Sequence, residues 1–497
     1  MGDQGWNRMG GDDFDALLES SLSGLPPKDV VKRVTPWKRA MRWLLAGMAL
    51  TTLTLNVLNL HLLLPAIGMV LLLLGFRALR RENRWFGACY AIAVLRTAYV
   101  CADLVLNTTI WQRVVHASSL AGALTGLSLA LLFMEFFCLW RGLRAVQRKA
   151  GETPRAWNAA ALMVWYALLC LLALVGDRIG WLLLAAMLAG YALVLRSLWR
   201  QSKELDQAGY AVRPAPVRVS DRTLVLAFAA LLTAGCACGY LLGSRYPMEW
   251  TPVEVEADSE AVRVRAHLLE LGMPEYVLND LTAEELAACE GAIQVVVDVD
   301  DEAVDGGDMP KLRVTGVGVE VPGEKERWII IHHFLWLADP GFHGTEAVQL
   351  RTVYEDLPEG WRSVGPVTGR VLHEQNGQSY AAPYYFLGER TYTAGDLPWE
   401  QHSGNDVFAA FSVPPGGENC RGYLTYPMEE VRDGFIINGW LEYTHQKTWL
   451  QYPAVTALEK RLAGSWYYAM GRSAPLGSPS SLSRRRRGPG SWPCRKI

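Results

Sequence analysis

The sequence between Trp37 and Trp250 consists of one apolar run after another, separated by short clusters of Arg and Lys. An apolar stretch of about 20 residues is long enough to cross a lipid bilayer as an α-helix. Inside lipid every backbone polar group needs a partner within the protein, so a chain with this pattern has few folds open to it. The pattern predicts a bundle of membrane-spanning helices with the lipid bilayer as its partner.

The apolar runs predict about seven spanning helices. The stretch 43–79 is too long for one helix and fits two, with Asn56, Asn59 and His61 at the reversal between them. The remaining predicted spans are 85–106, 118–140, 157–175, 179–198 and 223–243.

The basic residues predict how this bundle is oriented. Arg and Lys cluster before the first predicted span and in every second connection, at 77–84, 141–155 and 196–222, whereas the other connections carry little charge. Connections rich in Arg and Lys stay on the cytoplasmic side of a cell membrane. We therefore predict a cytoplasmic N-terminus and an extracytoplasmic location for all residues after about 245.

The residues after the bundle have the pattern of a β-rich domain with a small helical lead-in. Thr282 followed by Glu285 matches a capping box at the start of a helix. From Ala292 the apolar pattern changes to short β-branched runs separated by turn signals, and Asn376-Gly377 is typical of a type I′ hairpin. Many short strands with such turns favour a sandwich or jelly-roll-like domain.

The predicted fold class is therefore mixed, with an all-α polytopic transmembrane bundle followed by an extracytoplasmic β-rich domain. The predicted segments are a mostly disordered cytoplasmic N-terminal segment at 1–36, the bundle at 37–245, a helical subdomain at 246–291, the β-rich domain at 292–470 and a disordered basic tail at 471–497. The formal net charge is −2, and the basic residues flank apolar runs, so nothing in the sequence favours nucleic acid as a partner.

Three ionisable residues are predicted to lie inside the bundle: Arg96, Asp103 and Glu135. Arg96 and Asp103 are seven residues apart and share roughly one helix face. Charged groups at this depth face the bundle interior and pair with one another, and they often mark functional sites. They could form an ion or proton path or a polar ligand site, or they could be a structural pair that holds helices together.

Aromatic residues beside Pro and Gly are candidates for ligand binding in the β-rich domain. Tyr384, Tyr385 and Trp399 are expected on loops, where an aromatic ring could offer an apolar face to a sugar. Most other aromatic residues of this domain are expected to fill its core.

Two further sets of residues raise the question of metal or disulfide sites. Asp298, Asp300 and Asp305 are weak candidates for Ca²⁺, but their spacing departs from the EF-hand pattern and a solvated acidic loop is favoured. Cys289 and Cys420 could pair in an oxidising compartment. We expect no cofactor.

The sequence supports three functional hypotheses. The leading one is a non-enzymatic multi-pass membrane protein that displays its β-rich domain for binding or sensing, with an extracellular ligand or a membrane protein as partner. The second is a transporter or channel that uses Arg96, Asp103 and Glu135. The third is a surface hydrolase acting on envelope polymer, which needs two carboxylates in one cleft.

Overall fold

The computed structural model describes residues 35–52, 60–154, 157–175, 181–207, 219–253, 259–300, 312–341, 344–352, 361–394, 402–431, 440–446, 451–463 and 475–476. The predicted N-terminal segment up to residue 34 lies outside the described residues, as do 464–474 and 477–497 near the C-terminus. Within the tail predicted to be disordered, Pro475–Leu476 instead forms a short strand.

Eight helices are described before residue 244. They are α1 (Pro36–Thr52), α2 (Leu60–Leu79), α3 (Arg84–Leu106), α4 (Gln112–Ala117), α5 (Ser119–Lys149), α6 (Trp157–Val175), α7 (Trp181–Gln207) and α8 (Asp221–Gly243). Five of them, α2, α3, α5, α7 and α8, are long and apolar enough to cross a membrane. Helix α1 has 17 described residues, and α6 counts as a shorter apolar helix over Trp157–Leu172.

Small residues let α1 and α2 approach each other closely. A Cβ added to Gly47 on α1 would lie 2.7 Å from the carbonyl oxygen of Gly68 on α2, and one added to Gly75 would lie 2.6 Å from Leu44. Glycine-mediated approach of this kind is common where helices pack in membranes. By contrast, the GxxxG residues Gly122 and Gly126 on α5 face open space.

The basic connections meet at one end of the bundle. Arg77 lies 3.2 Å from Asp221 at the start of α8, and Lys149 at the end of α5 lies 2.9 Å from Glu82. Trp37 near the start of α1 donates to the carbonyl of Ser202 near the end of α7, with 3.2 Å between the atoms. Neighbouring helices therefore alternate in direction.

The chain after α8 forms two antiparallel sheets and four short helices among the described residues. The first sheet has the order β1 (Thr251–Pro252), β8 (Gln378–Pro383), β7 (Thr368–Gln375), β11 (Glu418–Glu430), β4 (Arg327–Trp336), β3 (Leu312–Val321), β2 (Gln294–Asp300), with β6 (Trp361–Ser363) also paired to β11. The second has the order β13 (Pro475–Leu476), β12 (Trp440–His445), β5 (Glu346–Arg351), β10 (His402–Phe411), β9 (Phe386–Ala394). The helices are α9 (Ser259–Glu270), α10 (Glu275–Leu278), α11 (Ala283–Ala288) and α12 (Ala457–Leu462).

Local sequence signals explain several of these elements. Thr282 and Glu285 form the predicted capping box at the start of α11. Asn376 and Gly377 both have positive φ, at 53° and 74°, and they join β7 to β8 as the hairpin pattern predicts.

Two hydrophobic clusters organise the β region. One lies between the two sheets and includes Phe334 and Leu424 of the first sheet and Phe411 and Tyr443 of the second. The other lies on the opposite face of the first sheet, where α9 to α11 cover apolar residues of β3, β4 and β7. The helical lead-in therefore forms a layer over the sheet, which we call the helical layer (residues 259–292).

The chain divides into two compact units. The bundle unit comprises residues 1–106 and 113–236, and the β unit comprises 107–112 and 237–497. The segment Asn107–Gln112 thus belongs to the β unit although it lies between α3 and α4 in the sequence. The chain passes between the two units three times, at 106/107, 112/113 and 236/237.

Candidate functional sites

The bundle contains a buried ion pair between α3 and α5. Arg96 donates from Nη1 to Oε2 of Glu135, and their side chains are 14% and 1% exposed. Each residue lies near the middle of its helix. Removing one partner of such a pair would leave a charge in an apolar environment.

Three hydroxyl groups lie close to this ion pair or to one another. Tyr166 on α6 feels the charges of both Arg96 and Glu135. The Tyr166 hydroxyl is 2.6 Å from Oγ1 of Thr52 on α1, which is in turn 2.8 Å from the hydroxyl of Tyr191 on α7. We call these five residues the intramembrane polar cluster. They come from five helices. The hydroxyl groups of Tyr166, Thr52 and Tyr191 are joined by hydrogen bonds, and the ion pair acts on Tyr166 through its charges.

The third predicted intramembrane residue is not part of this cluster. Asp103 lies 3.1 Å from Nε2 of His116, and the two side chains are 31% and 48% exposed. Seven residues separate Asp103 from Arg96, which is about 10 Å along a helix. The structure therefore brings together two of the three residues singled out from the sequence. Sequence reasoning missed Thr52, Tyr166 and Tyr191, because the sequence does not show which side chains a hydroxyl group in an apolar run contacts.

The β unit contains a buried ionic node that joins the helical layer to the first sheet. The Asp280 carboxylate lies 2.8 Å from Nε2 of His333 on β4 and 2.8 Å from Nε of Arg421 on β11. The backbone oxygen of Asp280 accepts from Arg370 on β7, with 2.7 Å to Nη2. One residue of the helical layer is thus tied to three neighbouring strands.

The protonation of Asp280 follows from these contacts. Burial raises the pKa of this carboxyl, but the hydrogen bond and charge of His333 and the charge of Arg421 outweigh burial and hold the pKa below its ordinary value. Arg421 also lies 3.2 Å from Glu374, which is partly exposed. Sequence reasoning missed this node because its members are up to 141 residues apart.

A second buried acid–histidine pair lies in the other sheet. Nδ1 of His445 on β12 is 2.8 Å from Oε1 of Glu346 on β5, and both side chains are essentially unexposed. The ring of Trp336 lies 5.4 Å from His445 and also 5.4 Å from Tyr443. Burial and then the charge of Glu346 raise the pKa of Tyr443 well above its ordinary value. The burial of the His445–Glu346 pair therefore indicates a structural role in the core.

The predicted ligand-binding aromatics occupy different environments. Tyr384 is buried, and its hydroxyl donates to the carbonyl of Tyr423 at 3.0 Å, so the ring is not offered to a ligand. Tyr385 is 42% exposed and stacks on Tyr246, with 4.5 Å between ring centroids. Trp111 lies edge-on to Tyr385 at 6.5 Å. Trp399 lies outside the described residues.

The segment Asn107–Gln112 is held in the β unit by hydrogen bonds. The backbone of Asn107 accepts from the amide of Ala454 at 2.8 Å, and Gln112 donates its side-chain amide to the carbonyl of Ala454. The amide of Ile110 donates to the carbonyl of Gly243 at the end of α8, with 2.9 Å between the atoms. Gln112 and Ile110 are both buried.

The three candidate calcium ligands lie only partly within the described residues. Asp298 lies on β2, whereas Asp305 lies outside the described residues, as does the side chain of Asp300. No group of three or more His, Cys, Asp or Glu in the described part of the chain is placed to hold a metal ion.

The structure describes Cys289 and Cys420, the candidates for a disulfide, without a bond between them. Both residues are buried free thiols, with Cys289 at the end of α11 in the cluster under the helical layer and Cys420 in the cluster between the sheets. The first sheet therefore separates them, and burial raises the pKa of both thiols to about 12.

The carboxylates that a hydrolase would need have separate partners. Glu320 accepts from Gln294, Glu374 from Arg421, Glu389 from Asn405, and Glu442 pairs with Arg461. The first three contacts lie on different strand pairs and the fourth joins β12 to α12, so these described carboxylates do not support a shared cleft.

Comparison with known proteins finds no match. No protein-family profile matches the chain, and neither a curated protein nor a solved structure does.

Proposed function

We propose that this chain is a multi-pass membrane protein that senses or binds a ligand through an extracytoplasmic β domain and does not catalyse a reaction. The observation that carries the proposal is that Asn107–Gln112, from between α3 and α4, is folded into the β unit. A change in the β unit can thus act on α3 directly as well as through α8. Helix α3 also carries Arg96 of the intramembrane polar cluster.

The proposed topology has seven spans, with the N-terminus in the cytoplasm. The basic connections at one end of the bundle favour the cytoplasmic side for that end. The contact between Ile110 and Gly243 requires both segments to lie on the same side of the membrane. Helices α5 to α8 lie between them in sequence, and four crossings return the chain to the same side. The number of crossings between these two segments must be even, which supports counting α6 as a span.

The proposed binding domain is a β-sandwich with the helical layer as its lead-in. Its support is the shared cluster between the two sheets and the covering of the first sheet by α9 to α11. The buried acids Asp280 and Glu346 are each engaged by a histidine in an interior position, which supports a structural role for these two pairs.

Amide hydrogen exchange on the full chain in nanodiscs tests the coupling role of Asn107–Gln112. We expect Gln112→Ala to speed exchange both at 451–456 and in the last turn of α3, because Gln112 is buried and bonded to Ala454. Val114→Ala, two positions further on the same helix and 64% exposed, is the matched control and should leave both regions unchanged. Faster exchange at 451–456 alone would show that the contact does not reach α3.

The intramembrane polar cluster favours a second candidate function, proton or ion transport. Five helices contribute to it, and it includes the buried Arg96–Glu135 pair. Proteoliposomes containing a pH-sensitive dye test this alternative. Transport predicts a proton flux that Glu135→Gln abolishes and Asp103→Asn leaves intact. A flux no greater than that of protein-free liposomes rules out proton transport.

A further inference from the structure

The β unit carries exposed aromatic residues at the end of α8. Tyr385 follows β8 and is 42% exposed, and Trp111 of the segment Asn107–Gln112 is 38% exposed. The two rings are 6.5 Å apart, and Tyr385 stacks on Tyr246, three residues beyond the end of α8. We call Trp111, Tyr246, Tyr385, Phe386 and Arg390 the aromatic rim.

The rim is fixed to the end of α8 by contacts within the β unit. Tyr240 on α8 donates its hydroxyl to the carbonyl of Gln451 at 2.8 Å, and the amide of Tyr246 donates to Oγ of Ser412 at 3.0 Å. Ile110, Tyr246 and Ala410 form a small buried cluster against which Phe386 packs. Helix α8 is apolar and long enough to cross a membrane, and the rim lies next to its C-terminal end.

The chemistry of the rim suits the headgroup layer of a phospholipid bilayer. Tyr and Trp rings are enriched at this depth because each has an apolar body and a polar group at its edge. The guanidinium of Arg390 lies over the Phe386 ring, 4.8 Å from the centroid, and its side chain is exposed. A guanidinium in this place complements the negative phosphate of a lipid headgroup.

We propose that the aromatic rim binds the phospholipid headgroup layer and seats the β unit on the membrane surface. The surface that the rim offers is continuous with the end of the spanning helix α8. The proposal rests on the membrane embedding of α8 but not on which side of the membrane the β unit occupies. A sugar-like ligand on Tyr385 would need the same rings to face water. A second copy of the chain would need them to be covered by protein.

Gln378, at the end of β8 that is far from Tyr385, is a matched control position. Strand β8 runs from Gln378 to Pro383, and a strand of six residues is about 20 Å long. Tyr385 follows one end, and the exposed Gln378 lies at the other end beside the Asn376-Gly377 turn. The two positions therefore differ in distance from the rim but belong to the same sheet.

Spin-label accessibility in phosphatidylcholine–phosphatidylglycerol nanodiscs tests the proposal. A spin-labelled amino acid is introduced into the full chain at Tyr385 or, separately, at Gln378, which leaves the native cysteines in place. The readout is the ratio of collision with oxygen, which partitions into lipid, to collision with a water-soluble nickel complex. We expect a higher ratio of oxygen to nickel collision at 385 than at 378. A second variant carries the label at 111, in case the label at 385 disturbs folding, and should also give a higher ratio than 378.

Two results would overturn the proposal. Equal and high accessibility to nickel at 385, 111 and 378 would place the rim in water, as a free ligand surface requires. Shielding of 385 and 111 from both oxygen and nickel would indicate cover by another protein chain. Neither result would affect the coupling measurement at Gln112, so failure of the lipid contact is distinguishable from failure of the sensing role.

Discussion

The carboxylate of Asp280 lies 2.8 Å from Nε2 of His333, and both side chains are essentially unexposed. Asp280 belongs to the helical layer and His333 to the central strand β4. The same carboxylate accepts from Arg421 on β11. The helical layer is therefore held to the sheet by charge as well as by apolar packing.

The first prediction concerns the removal of this carboxylate. Asp280→Ala should destabilise the β unit by about 3–5 kcal/mol, because it removes the buried carboxylate that both His333 and Arg421 contact. Denaturant unfolding of the full chain in micelles, followed by strand circular dichroism, measures the loss. Glu374→Ala removes a partly exposed partner of the same Arg421 and should have an effect of about 1 kcal/mol or less. Equal effects of the two variants would mean that the buried carboxylate of Asp280 adds no more stability than the partly exposed one of Glu374.

The second prediction is the pH dependence of the same node. The pKa of Asp280 is lowered from its ordinary value of 3.8, so the unfolded state binds more protons than the folded state just below that pH. The contribution of Asp280 is fully present above pH 3.8 and is lost as the pH falls through the folded-state pKa. Thermal unfolding at a series of acid pH values should show a shallower loss for Asp280→Asn than for the wild type. The same pH dependence of thermal unfolding in both proteins would mean that other groups cause the loss of stability in acid.

The third prediction concerns Lys460 on α12, which is 2% exposed. Burial lowers the pKa of Lys460 from 10.5 to about 8. Between these two values the unfolded state binds more protons, so stability should rise as the pH increases from about 8 towards 10.5. Lys460→Met should remove this rise in a thermal unfolding series, whereas Lys325→Met, at an exposed position, should retain it. A rise that persists in Lys460→Met would contradict the assignment.

The fourth prediction concerns the ion pair inside the bundle. Arg96→Leu and Glu135→Leu should each destabilise the bundle by about 3–5 kcal/mol, because each leaves one buried charge without its partner. The double variant should lose much less than the sum, since both charges are gone. Unfolding of all three variants in the same micelles measures this coupling. An additive result would show that the two residues do not stabilise each other.

The local features of this fold were predictable from neighbouring residues. Thr282 and Glu285 are three positions apart, and Asn376 and Gly377 are adjacent, so the capping box and the hairpin could be recognised and are confirmed. The apolar runs likewise predicted a helical region followed by strands. The predicted count of seven spans remains a prediction, because five described helices are long and apolar enough to cross a membrane.

The sites were less predictable because their members come from distant parts of the chain. Arg96 had two acidic candidates in the sequence, and only the packing of α3 against α5 selects Glu135 over Asp103. Tyr384 and Tyr385 are adjacent and looked equivalent, but the first points into the core and the second to the surface. Cys289 and Cys420 belong to different hydrophobic clusters, which their positions in the sequence do not reveal.

The most direct test of the account is the location of the β unit across the membrane. An azide-bearing amino acid is introduced at the exposed Gln378 of β8 or at the exposed Arg81 in the basic turn between α2 and α3. Intact cells are then treated with a membrane-impermeant cyclooctyne. We expect labelling at 378 in intact cells and at 81 only after lysis. Labelling at 378 only after lysis would contradict the proposed topology and the extracytoplasmic binding domain.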